Sequence, residues 1–86
     1  MAQHSHEFVE TYTGLVGYGL DRATDQATLQ VYLQKFSDDA CLARILPRMG
    51  QEQMDSLFDT LSDLLRQHLS EDEYHSLFLK DHGHGD

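Results

Sequence analysis

Between residues 50 and 69, Met54, Leu57, Phe58, Leu61, Leu64, Leu65 and Leu69 recur three and four positions apart. That spacing puts them on one stripe of an α-helix, with Glu52, Asp55, Asp59 and Asp63 on the other side. A helix carrying so many large apolar groups requires cover, so the rest of the chain is expected to supply it. Four other segments offer matching faces. Phe8, Tyr12, Leu15, Val16, Gly19 and Leu20 keep helical spacing, with Ser5 placed to cap and Glu7 in the first turn. Gly14, Gly17 and Gly19 oppose a helix there, each by roughly 1 kcal/mol. A strand would need a partner, however, and no second β-rich run exists. A helix over 6–21 is therefore expected, its glycines marking a close neighbour or a frayed end.

Thr24 and Asp25 open a helix over 24–36 with Leu29, Tyr32, Leu33 and Phe36 as its apolar stripe. Ser37, Asp38 and Asp39 form a second capping cluster, followed by Leu42, Ile45, Leu46 and Met49. Pro47 removes a donor and disfavours helical geometry at Leu46, which limits this helix to 38–46. Ser70 and Glu73 match a capping box at the head of a last helix, 71–80, with Tyr74, Leu77 and Phe78 on one face and Leu69 placed to staple against Tyr74. The stretch from Gln51 to Phe58 echoes the stretch from Glu71 to Phe78: an acidic start, a large apolar residue, then Ser-Leu-Phe. The predicted fold is all-α, a compact bundle of about five short helices (6–21, 24–36, 38–46, 51–69, 71–80). It forms one domain over 1–80, with a disordered tail over 81–86.

At 86 residues, such a domain buries only about 60–65% of its unfolded surface. Pairing with a second copy is a common remedy, so a homodimer is one expectation. No apolar run approaches the ~18 residues of a membrane span, and no basic-then-apolar leader opens the chain. Six Lys and Arg against fifteen Asp and Glu give a formal charge of −9. That repels nucleic-acid phosphates and anionic membranes, and suits a basic protein partner or cations. A single cysteine, Cys41, forms no internal disulfide, which fits a reducing, cytoplasmic setting.

Candidate chemistry is sparse. His4 and His6 at one end and His82 and His84 at the other are candidate ligands for nickel, zinc or copper, if the termini converge. His68, in the last turn of its helix, suits the dipole there. Asp72 and His75 have the i,i+3 spacing of helical di-metal sites, but a second pair is lacking. Cys41 reads as a small buried hydrophobe. Asp55-Ser56-Leu57 resembles the attachment triplet of acyl carrier proteins over three residues only. In that family the triplet starts a helix after a long loop with a glycine-containing lead-in, whereas here Met54 precedes it within the first turns, so the reading is rejected. No phosphate-binding glycine loop, paired-Cys motif or serine elbow is present. A helix-turn-helix drawn from 38–69 would present Asp to DNA. The expectation is a non-enzymatic protein without a cofactor that binds a protein partner through the ridge of Glu52, Asp55, Asp59 and Asp63. Metal binding through the terminal histidines, and acidic mimicry of nucleic acid toward a basic protein, are the alternatives.

Overall fold

Side chains that satisfy the first backbone N–H groups set the starts of α2, α3 and α5 along this chain, two of them where the sequence predicts. A computed structural model describes residues 5–81; the predicted tail, from residue 82 on, lies outside them. Among the described residues the protein is all-α, with five helices and no strand. The helices are α1 (Glu7–Thr11), α2 (Arg22–Phe36), α3 (Asp39–Ile45), α4 (Gln51–His68) and α5 (Glu71–Glu73). A 3-10 turn, Leu46–Arg48, follows α3, and a π-helical turn, Tyr74–Leu79, continues α5. The contacts divide the chain into two units, one ending at Arg48 and the other beginning at Met49.

In the first unit, α1 stops ten residues short of the expected 6–21. At Tyr12 the backbone turns extended, with ψ of 124°. The Tyr12 ring stacks on Phe8 at 5.1 Å, and its hydroxyl donates to the Leu15 carbonyl at 3.0 Å. A Cβ at Gly14 would collide with that ring, so the close neighbour of this glycine is Tyr12 and not another helix. Gly19, at φ +90°, holds a conformation that other residues adopt at a cost.

Residues 12–21 instead run as a strap held by polar side chains of α2. The Thr28 hydroxyl accepts from Gly17 N–H at 2.9 Å and donates to Gly17 C=O at 3.2 Å. Asp25 accepts from the N–H groups of Gly19 and Leu20 at 2.8 and 3.2 Å. Gln34 accepts from Val9 N–H at 3.0 Å. Thr28, only 2% exposed, and Val31, at 6%, are the buried residues among those described in this unit. Of the expected core stripe of α2, Leu29, Tyr32 and Leu33 are exposed, Tyr32 by 67%, and Phe36 is half-buried. The physical reason lies in the strap: its backbone donors need acceptors, and the face of α2 that carries them turns inward.

The caps are also reassigned. Asp21, not Thr24, caps α2, accepting from Thr24 N–H at 2.9 Å and Thr24 Oγ1 at 3.0 Å. Ser5 does not cap α1. Its N–H and hydroxyl donate to Asp38 at 2.8 and 3.2 Å, while its Oγ accepts from Asp39 N–H at 3.2 Å, tying the first residues to the start of α3. The Thr24 backbone N–H beside Asp21, and the Ser5 backbone N–H beside Asp38, hold both carboxyls below the ordinary aspartate range. With a folded value below the unfolded one, each contribution is complete above the unfolded value and disappears as pH falls through the folded value. Helicity is therefore expected to fall below about pH 4, and less steeply in Asp38→Asn; a circular-dichroism titration reads both.

The second unit follows local signals closely. The N–H of Gly50, which caps α4, donates to Gln53 Oε1 at 2.9 Å. Twenty residues on, Ser70 N–H donates to Glu73 Oε1 at 2.8 Å and Ser70 Oγ accepts from Glu73 N–H at 3.2 Å, the expected box. The sequence echo is thus a shared start: in both helices the third residue reaches back to the cap. Tyr74 and Phe78 stack at 5.3 Å along the π-helical turn. That turn ends at Lys80, whose φ of 56° is left-handed. Such a conformation strains a side-chain-bearing residue, so Lys80→Gly is expected to stabilise the unit by about 0.5–1 kcal/mol, read as a raised melting midpoint.

Candidate interaction face

Helix α4 sorts its residues as its sequence requires. At 100° per residue, Met54, Leu57, Leu61, Leu64 and Leu65 share one side with Phe58 at its margin, and Glu52, Asp55, Asp59 and Asp63 occupy the opposite one. The ridge carboxylates are all exposed. Gln51 Nε2 donates to Asp55 Oδ1 at 2.9 Å, and Arg66 pairs with Asp63. Arg66 is the one Lys or Arg within α4.

The apolar side is where expectation and structure part. No residue of α4 is buried. Leu57, Leu65 and Leu69 are half-buried, whereas Met54, Phe58, Leu61 and Leu64 are exposed, Phe58 by 70% and Leu61 by 46%. Among the described residues of its own unit, the stripe is flanked toward its C-terminal half by Leu69 and the aromatic pair Tyr74 and Phe78. Together these elements enclose an open groove of about 570 Å³ lined by Phe58, Leu61, Leu64, Leu65, Leu69, Tyr74 and Phe78, with Ser62 and His68 beside them. A second groove of about 320 Å³ continues past Ser62, Leu65 and Leu69 to Arg66, Ser70, Glu71 and Tyr74. Tyr74 lies four positions after its cap and lines both grooves with Leu69, the placement a hydrophobic staple requires.

Charge is divided unevenly along the chain. Nine of the fifteen carboxylates and two of the six cations fall in 49–86, leaving −7 there and −2 in 1–48. This asymmetry was readable from the sequence. The exposure of the stripe was not, because periodicity says that a face is apolar and not what lies against it.

Among the candidate metal ligands, His6 is described: its Nε2 and Ser37 Oγ are hydrogen-bonded at 2.8 Å. His4, His82 and His84 lie outside the described residues. Among the described residues, no group of three or more His, Cys, Asp or Glu is placed to hold a metal ion. His75 faces Asp81, its Nδ1 lying 3.6 Å from Asp81 Oδ2, in addition to its sequence spacing from Asp72. Cys41, expected to be buried, is exposed and lines a shallow depression of about 530 Å³ with Val16, Val31, Tyr32, Lys35 and Phe36. His68 is exposed at the groove. No helix among the described residues is long and apolar enough to cross a membrane.

Comparison with protein-family models, with curated proteins and with solved structures gives no match.

Proposed function

We propose that this chain is a small, acidic, non-enzymatic interaction protein of the cytoplasm, and that its second unit docks a basic protein partner. The observation that carries this reading is the exposed apolar stripe of α4, in particular Phe58 and Leu61. Apolar surface gathered on one helix face stabilises whatever complex removes it from water, by about 25 cal/mol per Å² before the costs of association. Contiguous patches of this kind, with polar margins, mark interaction sites on soluble proteins. The free thiol of Cys41 fits a reducing compartment.

The ridge of Glu52, Asp55, Asp59 and Asp63 takes a secondary part: it lies on the far side of α4 and acts through its field, drawing a basic partner toward the unit. A photo-cross-linking residue at position 58 tests the docking face. Discrete protein adducts that vanish when Leu61→Asp is added support the reading. An absence of adducts, or adducts indifferent to Leu61→Asp, overturns it.

A further inference from the structure

Resting on the docking-face reading, we infer that the groove between α4 and the Tyr74–Leu79 turn seats an amphipathic helix of another protein, with lysines or arginines flanking its apolar stripe. Two independent features lead there.

The first is the groove's lack of backbone partners. It is walled by side chains of helical segments, and among its nine lining residues only Ser62, His68 and Tyr74 carry polar side-chain atoms. The α4 backbone is committed to its own helix, and no strand edge exists among the described residues. An extended peptide laid here would find few protein partners for its N–H and C=O groups. A helix arrives with those groups already satisfied, so only side chains need to fit. The dimensions agree. From Phe58 to Leu69, α4 rises about 16 Å, which spans three turns of a partner helix and hence one stripe of about four large apolar side chains.

The second feature is charge. The unit carries −7, Arg66 is paired with Asp63, and Glu71, with Asp72 and Glu73 following, stands at the end of the groove. A second copy seated on this face would bring −7 against −7, and an anionic lipid surface would be repelled in the same way. Basic residues on either side of an apolar stripe meet the opposite situation: apolar contact at the centre, Glu71 at one end, and the negative field of the unit beyond it.

The chain has no tryptophan, so a peptide carrying one Trp reports its own environment. The experiment titrates the full chain into three such peptides: a Leu/Lys helix with leucines at three-and-four spacing, a scrambled peptide of the same composition, and a Leu/Glu counterpart of the same pattern. Expected is a saturable blue shift for the patterned Leu/Lys peptide alone, with a Kd on the order of 10 µM. The doubly truncated Phe58→Ala/Leu61→Ala chain, whose charge is unchanged, is expected to bind it at least ~10-fold more weakly. Glu71→Gln with Asp72→Asn, and salt raised from about 50 to 500 mM, are each expected to weaken binding several-fold.

Equal binding of the scrambled peptide, or no effect of the double truncation, overturns the groove as the seat. Equal binding of the Leu/Glu peptide overturns the basic flanks while leaving the docking face intact. Stronger partition of the chain onto phosphatidylcholine vesicles than onto peptide overturns the protein helix as occupant. A wild-type chain that sediments as a dimer, and becomes a monomer on double truncation, assigns the groove to a second copy and overturns it too. Failure of every peptide, together with absent cross-links at position 58, removes the docking-face reading itself.

Discussion

Thr28→Val is expected to destabilise the protein by about 2 kcal/mol, more than removal of any single exposed leucine from the same helix. The two side chains have nearly the same shape, so packing changes little. What is lost is the hydroxyl, which serves both the N–H and the C=O of Gly17 and is itself 2% exposed. Valine leaves two backbone groups of the strap without their partner, and a part-buried group left unsatisfied costs about 1–3 kcal/mol. Leu33→Ala provides the contrast. As a core leucine it would cost about 2–5 kcal/mol. Being exposed, Leu33 is expected to cost under about 1 kcal/mol. Urea denaturation ranks the two variants, and amide exchange at Gly17 shows whether the strap has come loose. A larger effect for Leu33→Ala would mean that the apolar stripe of α2, and not its polar face, holds this unit together.

Leu61→Asp is expected to weaken partner binding about 100-fold, close to 3 kcal/mol, while leaving α4 helical. The helix tolerates the change because Leu61 is 46% exposed and aspartate costs only about 0.5 kcal/mol of helix propensity relative to leucine. Binding does not tolerate it, because a carboxylate at the centre of an apolar contact must be desolvated without a partner of its own. Asp59→Asn, on the opposite side of α4, changes only the long-range field. Its expected effect is a slower association, about two-fold or less, that disappears at high salt. Titration of the Leu/Lys peptide with each variant, beside far-UV circular dichroism, separates these outcomes. If Asp59→Asn proved the more damaging, the contact would lie on the acidic ridge and not in the groove.

Much of the second unit could be read directly from its residues. The apolar spacing of 51–69, Ser70 with Glu73, and Leu69 before Tyr74 all operate within one or two helical turns, and the structure reproduces them with α4 at Gln51–His68 and a reciprocal cap at Ser70. Pro47 likewise ends α3 at Ile45, followed by a 3-10 turn. The candidate site was half legible. The stripe and the acidic ridge follow from helical geometry, and so does their opposition across α4. The exposure of much of the stripe was not legible there. Met54, Phe58, Leu61 and Leu64 are exposed, which makes the apolar side of the helix a candidate contact beside the ridge.

The first unit shows why local pattern has this limit. Asp21, Asp25, Thr28, Gln34 and Asp38 recur along α2 and its ends as side-chain acceptors, and each takes a backbone N–H. Four of these N–H groups, on Gly19, Gly17, Val9 and Ser5, belong to residues that precede α2, up to 33 positions away. A count of apolar positions gives such acceptors no weight, so Leu29, Tyr32, Leu33 and Phe36 read as the inner face. The sequence by itself determined the bounds of α2, α3 and α4 to within two residues, because caps and proline act through neighbouring backbone. Only the tertiary structure decided that residues 12–21 form a strap and which face of α2 it covers. Those outcomes depend on satisfying the donors of one segment with the acceptors of another, a balance between parts of the chain that no local period records.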